Sequence, residues 1–220
     1  MDTGMQGMIS RKGFLSFFFL LCSLLLPMTV RGGDVDSEIS RIQKAYENLK
    51  DLRGTFVQKS TMKDLKRTDT FKGHFFIKRP MMLKWSYRGE NEQEVFIRNN
   101  EILIYQKREN QAFRGRFDRE TYGQAPIALL SGFGEIREEF SVSMKNGRLI
   151  LKPKKPMGGI ISIELLTSDK HFPIQSFTVI DSQNNTIDMV FSDIQTNTGI
   201  DEKIFTPSLP KGVAILDYSL

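Results

Sequence analysis

The chain has 220 residues, of which 40% are hydrophobic and 26% charged, with a formal net charge of +5. That length allows one sizeable core, and that balance excludes a disordered or low-complexity chain. One cysteine and two histidines leave no material for a disulfide framework or a histidine-rich metal centre.

Arg11 and Lys12 precede an apolar run over 14–26 that is too short to span a membrane comfortably. This pattern predicts a secretory signal over 1–32, with Val30 and Gly32 placed for cleavage, followed by a single domain over 33–220. Cys22 follows Leu21 where a lipoprotein signal wants a small residue, so acylation is not expected. Cleavage removes the lone cysteine and leaves a thiol-free, still basic chain with no later segment suited to anchoring it. Its expected place is the periplasm, reached through the cleavable signal.

Val35, Ile39, Ile42, Tyr46 and Leu49 recur at helical spacing and predict an amphipathic helix over 36–50. Strand patterns follow at 54–62, 68–78, 82–88, 94–98, 101–107 and 112–117, then at 140–145, 148–152, 160–166, 173–180 and 186–194. Asn99-Asn100 and Asn146-Gly147 read as tight hairpin turns. Many strands joined by short turns predict a mainly β (α+β) fold: a curved antiparallel sheet forming an incomplete β-barrel. Ile102-Leu103-Ile104-Tyr105 is apolar on both faces, which suits an inner face lining a core or cavity and an outer face lying under a helix.

Two of these strands meet at a corner. Alternation places Phe71, Phe75 and Ile77 on one face before Pro80, and Met81, Leu83, Trp85 and Tyr87 on an apolar face after it. By the same parity Arg79 ends an apolar face, where a guanidinium needs partners or a route to solvent. The strand pattern is interrupted over 122–134. There Pro126 suits a helix's first turn, and Ile127, Ala128, Leu129 and Leu130 form a short helix that is apolar all round. It reads either as a plug at one end of the barrel or as a lid flanked by Gly123, Gly132 and Gly134.

Catalytic patterns are missing. No phosphate-cradling glycine loop, nucleophile elbow or metal-ligand spacing occurs. Asp188 with Asp193, and Glu138 with Glu139, read as solvating carboxylates rather than acid/base pairs. Cations interleave with aromatics at Lys107-Arg108 and Arg114-Gly115-Arg116-Phe117, but export argues against nucleic acid as a partner. Lys152-Pro153-Lys154-Lys155-Pro156 reads as a solvated loop.

Phe56-Val57-Gln58, then Gly73-x-Phe75, then Lys78-Arg79-Pro80 followed by x-x-Leu83-x-Trp85-x-Tyr87, together resemble the LolA family of periplasmic carriers of outer-membrane lipoproteins. The likeness runs from the first helix near Val35 to the segment near Tyr218. It implies a monomeric, non-enzymatic carrier without a cofactor. Acylated lipoproteins would come from an inner-membrane LolCDE-type ABC complex and pass to an outer-membrane acceptor of LolB type. It further implies an acyl-chain cavity lined by Phe75, Ile77, Met81, Leu83 and Trp85, with Ile127, Leu129 and Leu130 from a helical lid that Arg79 holds closed. The same fold also suits a lipid-sensing regulatory protein or a carrier of free lipids.

Overall fold

A computed structural model describes residues 33–90, 92–117, 130, 136–170 and 172–218. The expected signal and most of the expected lid lie outside these residues. Helix α1 covers Gly33–Glu47. Eleven strands follow the predicted ones closely: β1 Asp51–Met62, β2 Arg67–Lys78, β3 Met82–Arg88, β4 Gln93–Arg98, β5 Glu101–Gln106, β6 Gln111–Arg116, β7 Phe140–Lys145, β8 Arg148–Pro153, β9 Ile160–Thr167, β10 Ile174–Asp181 and β11 Thr186–Thr196. A short α2, Ile136–Glu139, leads into β7, and a 3-10 helix, Glu202–Phe205, precedes β12, Ala214–Tyr218. Lys152 and Pro153 finish β8 rather than belonging to the expected loop.

All twelve strands form one open sheet in the order β12-β6-β5-β4-β3-β2-β1-β11-β10-β9-β8-β7. From β1 to β6 and from β7 to β11, neighbours along the chain pair antiparallel, because short turns return each strand beside its predecessor. Asn99 and Asn100, with φ of 49° and 64°, and Asn146 and Gly147, with φ of 50° and 73°, supply left-handed two-residue turns whose twist matches the strands they join. β1 closes the meander by pairing with β2 on one side and β11 on the other. The sheet is mixed rather than wholly antiparallel, since β12 lies parallel to β6, with Ile215 opposite Ala112. A long connection over the back of the sheet permits that direction.

Register fixes one apolar face. Phe56, Phe75, Leu83, Trp85, Ile97, Leu149, Ile163, Leu165, Phe177 and Met189 enter a single core that also contains Ile39, Ile42 and Tyr46 of α1 and Leu49 just beyond it. The helix therefore covers the same face as these strand residues, and the β5 pattern has another cause. Phe96, Tyr105 and Ala112 point to the convex side and are buried there, as is Phe205 of the 3-10 helix, which touches β3 and β4. Lys78 Nζ donates to the Ile200 carbonyl at 3.0 Å, and Lys78 and Arg98 both lie 3.6 Å from the Glu202 carboxylate, fastening this segment to the sheet.

The junction between α1 and β1 is fastened from the far end of the chain. Asp51 is buried, and its carboxylate accepts from Thr198 N at 2.7 Å, Thr198 Oγ1 at 3.1 Å and Gly199 N at 2.9 Å. Asn197 Oδ1 accepts from Lys50 N at 2.7 Å, and its Nδ2 donates to the Asn48 carbonyl at 3.0 Å.

Candidate functional site on the concave face

Strand alternation lays large side chains side by side. On β1 the inward series is Leu52, Phe56 and Gln58; on β3 it is Leu83, Trp85 and Tyr87, set by pairing Phe75 with Trp85 and Gly73 with Tyr87. Trp85 stacks on Phe56 at 4.3 Å between centroids and on Phe75 at 5.1 Å, and Phe75 meets the edge of Phe191 at 5.7 Å. Gly73 makes room for this cluster, because a Cβ there would fall 2.0 Å from the Ser86 carbonyl oxygen and 2.6 Å from Phe56.

Of the residues expected to line a cavity, Phe75, Ile77, Leu83, Trp85 and Leu130 are at most 5% exposed, and Met81 packs partly buried against them. Ile127 and Leu129 lie outside the described residues. The concave face is thus filled and covered rather than open. Access for a long apolar ligand to Phe75 or Trp85 requires the covering elements to move.

Arg79 stands at the β2–β3 corner. Its backbone N–H donates to the Lys50 carbonyl at 3.0 Å, and its Nη1 donates to the Tyr46 carbonyl at 2.5 Å. The Tyr46 carbonyl also accepts from Leu49 N at 3.2 Å, so the guanidinium adds a second, cationic donor at the helix C-terminus and complements the helix dipole. The described bond of this guanidinium is therefore to α1; the expected partners on the lid lie outside the described residues. At the other end of α1, Arg137 of α2 pairs with Asp36, and Arg41 Nη1 donates to the Ser168 carbonyl at 2.6 Å.

Towards the β1–β2 hairpin the concave face becomes polar. A cavity of about 290 Å³ is lined by Gln58, Phe71, Tyr87, Gln93 and Gln106, together with Glu92 and Glu109. Gln58 is 8% exposed; its Oε1 accepts from the Tyr87 hydroxyl at 3.1 Å and its Nε2 donates to Ser60 Oγ at 2.9 Å. Burial pushes the Tyr87 phenol up to about 12, partly offset by the Trp85 indole beside it. That indole N–H falls short of hydrogen-bond geometry and has no partner among the described residues. Gln93 and Gln106 escaped the sequence analysis because their facing depends on register, which alternation within one strand does not set.

The other sequence candidates form no second site. Lys107 pairs with Glu92 at 2.6 Å and Arg114 with Asp217 at 2.8 Å, so two cations of the basic interleaved stretch carry local partners. Asp188 accepts from Thr178, and Asp193 from Thr55. His74 is half-buried on the convex face, and burial, with Arg88 and Lys84 nearby, lowers its pKa. His171 lies outside the described residues. Among the described residues no group of three or more potential metal ligands occurs, and no helix is long and apolar enough to cross a membrane.

The family model described as "Outer membrane lipoprotein carrier protein LolA" matches residues 47–208. The chain belongs to the LolA family. LolA relatives span nearly the same length. One named outer-membrane lipoprotein carrier protein, from Pseudomonas paraeruginosa, is 23% identical over 201 residues, covering 89% of this chain and 95% of that protein. Another of that name, from Neisseria meningitidis, is 26% identical over 206 residues, covering 90% and 95%. Among solved structures, an uncharacterized conserved protein from Thermus thermophilus is similar in fold, with a TM-score of 0.53 at 10% identity, covering 83% of this chain and 98% of that one. An open, curved half-barrel sheet with a helix on its concave face is the architecture this LolA chain adopts.

Proposed function

We propose that this protein carries acylated lipoproteins across the periplasm, binding their acyl chains on the concave face without catalysing a reaction. In this reading an inner-membrane ABC-type release complex loads it and an outer-membrane acceptor unloads it. The observation that carries the reading is the concave face itself, which in a chain of this family is apolar from β3 to β9 and lined by stacked rings rather than by reactive groups. Phe75, Ile77, Met81, Leu83 and Trp85, with Ile127, Leu129 and Leu130 of the cover, are the residues that acyl chains would contact.

The energetics suit a carrier whose empty state is closed. Burying one sixteen-carbon chain contributes on the order of 12 kcal/mol, at about 0.8 kcal/mol per CH₂. Three such chains would exceed the ceiling of roughly 20 kcal/mol for real affinities, and cargo held that tightly could not be delivered. Opening a packed face offsets part of the gain. The Arg79 bond to Tyr46 fits a latch that favours the closed state and is broken on loading.

Spheroplasts displaying a newly made outer-membrane-directed lipoprotein, mixed with the purified protein and ATP, test this function. Release of the lipoprotein as an equimolar soluble complex, lost when the acylated cysteine of the cargo is substituted, is the expected result. Absence of release, while a known carrier releases the same cargo in parallel, overturns the reading in favour of a lipid sensor or free-lipid carrier.

A further inference from the structure

Inward-facing side chains change character at one end of four strands. Read towards the β1–β2 hairpin, the inward series on β1 passes from Phe56 to Gln58 and on β3 from Trp85 to Tyr87. On β4 it passes from Val95 to Gln93 and on β5 from Ile104 to Gln106, with Val95 opposite Ile104 and Gln93 opposite Gln106. The amides thus collect around the cavity of about 290 Å³, next to the aromatic stack. The charged side chains of this cavity, Glu92 and Glu109, are exposed, whereas the less exposed positions at Gln58, Gln93 and Gln106 are amides.

Two groups at this boundary have unused hydrogen-bonding capacity. Gln93 makes no side-chain hydrogen bond among the described residues, although its amide can both donate and accept. One step further in, the Trp85 indole N–H, on a side chain 2% exposed, is directed at the Tyr87 hydroxyl but does not reach hydrogen-bond geometry with it. Buried donors of this kind favour ligands with a matching acceptor. An acyl chain offers none. The point where acyl chains join a protein does, because a diacylglycerol attached through a thioether to an N-terminal cysteine presents two ester carbonyls beside a peptide amide.

We propose that the pocket formed by Gln58, Tyr87, Gln93 and Gln106, with the Trp85 N–H behind it, receives the ester and amide groups linking the acyl chains to the cargo's N-terminal cysteine. This rests on the carrier reading and adds a polar subsite to it. Uncharged amides suit that junction when the cysteine nitrogen is itself acylated, since it then carries dipoles but no net charge where the chains begin. The chains then run from the pocket over Trp85 and Phe75, while the peptide leaves past the β3–β4 and β5–β6 turns.

Equilibrium binding of two synthetic probes tests the subsite: an N-palmitoylated dipalmitoylglyceryl-cysteinyl tetrapeptide, and its diether analogue, which keeps the chains and the amide but lacks both ester carbonyls. The purified protein is expected to bind the diester about tenfold more tightly, as for one or two hydrogen bonds. The Gln93→Leu/Gln106→Leu variant is expected to bind the diester no better than the diether, with diether affinity unchanged. Equal affinity of the unaltered protein for the two probes overturns the subsite while leaving the carrier reading intact. Equal weakening of both probes in the variant likewise overturns it, assigning the glutamines to structure. Binding of neither probe removes the carrier reading and the subsite together.

Discussion

Arg79 and Tyr46 join the β2–β3 corner to the last turn of α1: the Arg79 guanidinium donates to the Tyr46 carbonyl at 2.5 Å while the Tyr46 ring lies buried in the core beneath. One bond thus connects the sheet carrying the candidate cavity to the helix covering it. Because Arg79 itself is exposed, water competes for this interaction. Its effect on global stability is small; in the proposed carrier, whose open and closed states would be nearly balanced, its effect on that balance would be proportionally larger.

Replacing Arg79 by leucine is therefore expected to lower unfolding stability by about 1 kcal/mol or less. Cargo capture should persist, while delivery to acceptor membranes falls about fivefold, the shift produced by losing one bond that favours the empty state. Thermal unfolding and a two-step release-and-transfer assay measure the two effects. Transfer at the unaltered rate would reduce Arg79 to a helix-capping residue.

Asp51 gives a pH dependence. Burial alone would raise its pKa, but donors from Thr198, Gly199 and Ile200 outweigh that and hold it below the usual carboxylate range. A depressed folded-state pKa stabilises the fold fully above the unfolded value of about 3.9, and the contribution disappears as pH falls through the folded value. Asp51→Asn should cost about 1–3 kcal/mol at neutral pH. In denaturant titrations from pH 7 to pH 2, the gap between the two proteins should narrow only below about pH 4.

Gly73→Ala is expected to destabilise by about 3 kcal/mol or more. The new methyl would meet the Ser86 backbone oxygen at 2.0 Å, and a backbone atom cannot rotate away as a side chain can. Failure to accumulate as folded protein, judged by circular dichroism and proteolysis, is the expected result. A near-neutral substitution would show that β2 and β3 separate easily at this point.

Trp85 is the chain's one tryptophan, so its fluorescence reports on the concave face without labelling. At 2% exposure it should emit in the blue range characteristic of buried indoles. Loading with an acylated peptide should change that emission as Phe56 and Phe75 separate from it. Trp85→Ala should cost about 3–5 kcal/mol by leaving a cavity where the ring stacks. Unchanged emission at saturating ligand would place bound acyl chains away from this ring.

Strand identity was legible because each strand carries its own alternation and each turn its own Asn or Gly. The turns at Asn99-Asn100 and Asn146-Gly147 needed no tertiary context, and neither did the break at Pro80. Phe75, Leu83 and Trp85 were legible as one apolar face for the same reason. What escaped was everything set by distant chain segments. The direction of β12 depends on the route from Thr196 to Ala214 across the back of the sheet. The outer cover at Phe96 and Leu103 includes Phe205, about a hundred residues away in sequence, so β5 could be seen to need a cover without revealing which element supplies it. Arg79 was conspicuous on parity, but its link to Tyr46 follows from where α1 ends, not from the pattern around the arginine.

The packing of Phe205 behind β3 and β4 makes the two halves of the sheet mechanically unequal. The wall carrying Trp85 and Val95 is braced on its reverse by Phe96, Tyr105 and the 3-10 helix, whereas β11 turns Val190, 50% exposed, to solvent on its convex side. Guests entering the concave face would press against a stiff wall on one side and a compliant one on the other, so expansion would be taken up across β8–β11. Amide hydrogen exchange should accordingly quicken there on loading and stay slow in β3–β5, with one half serving as anvil and the other as spring.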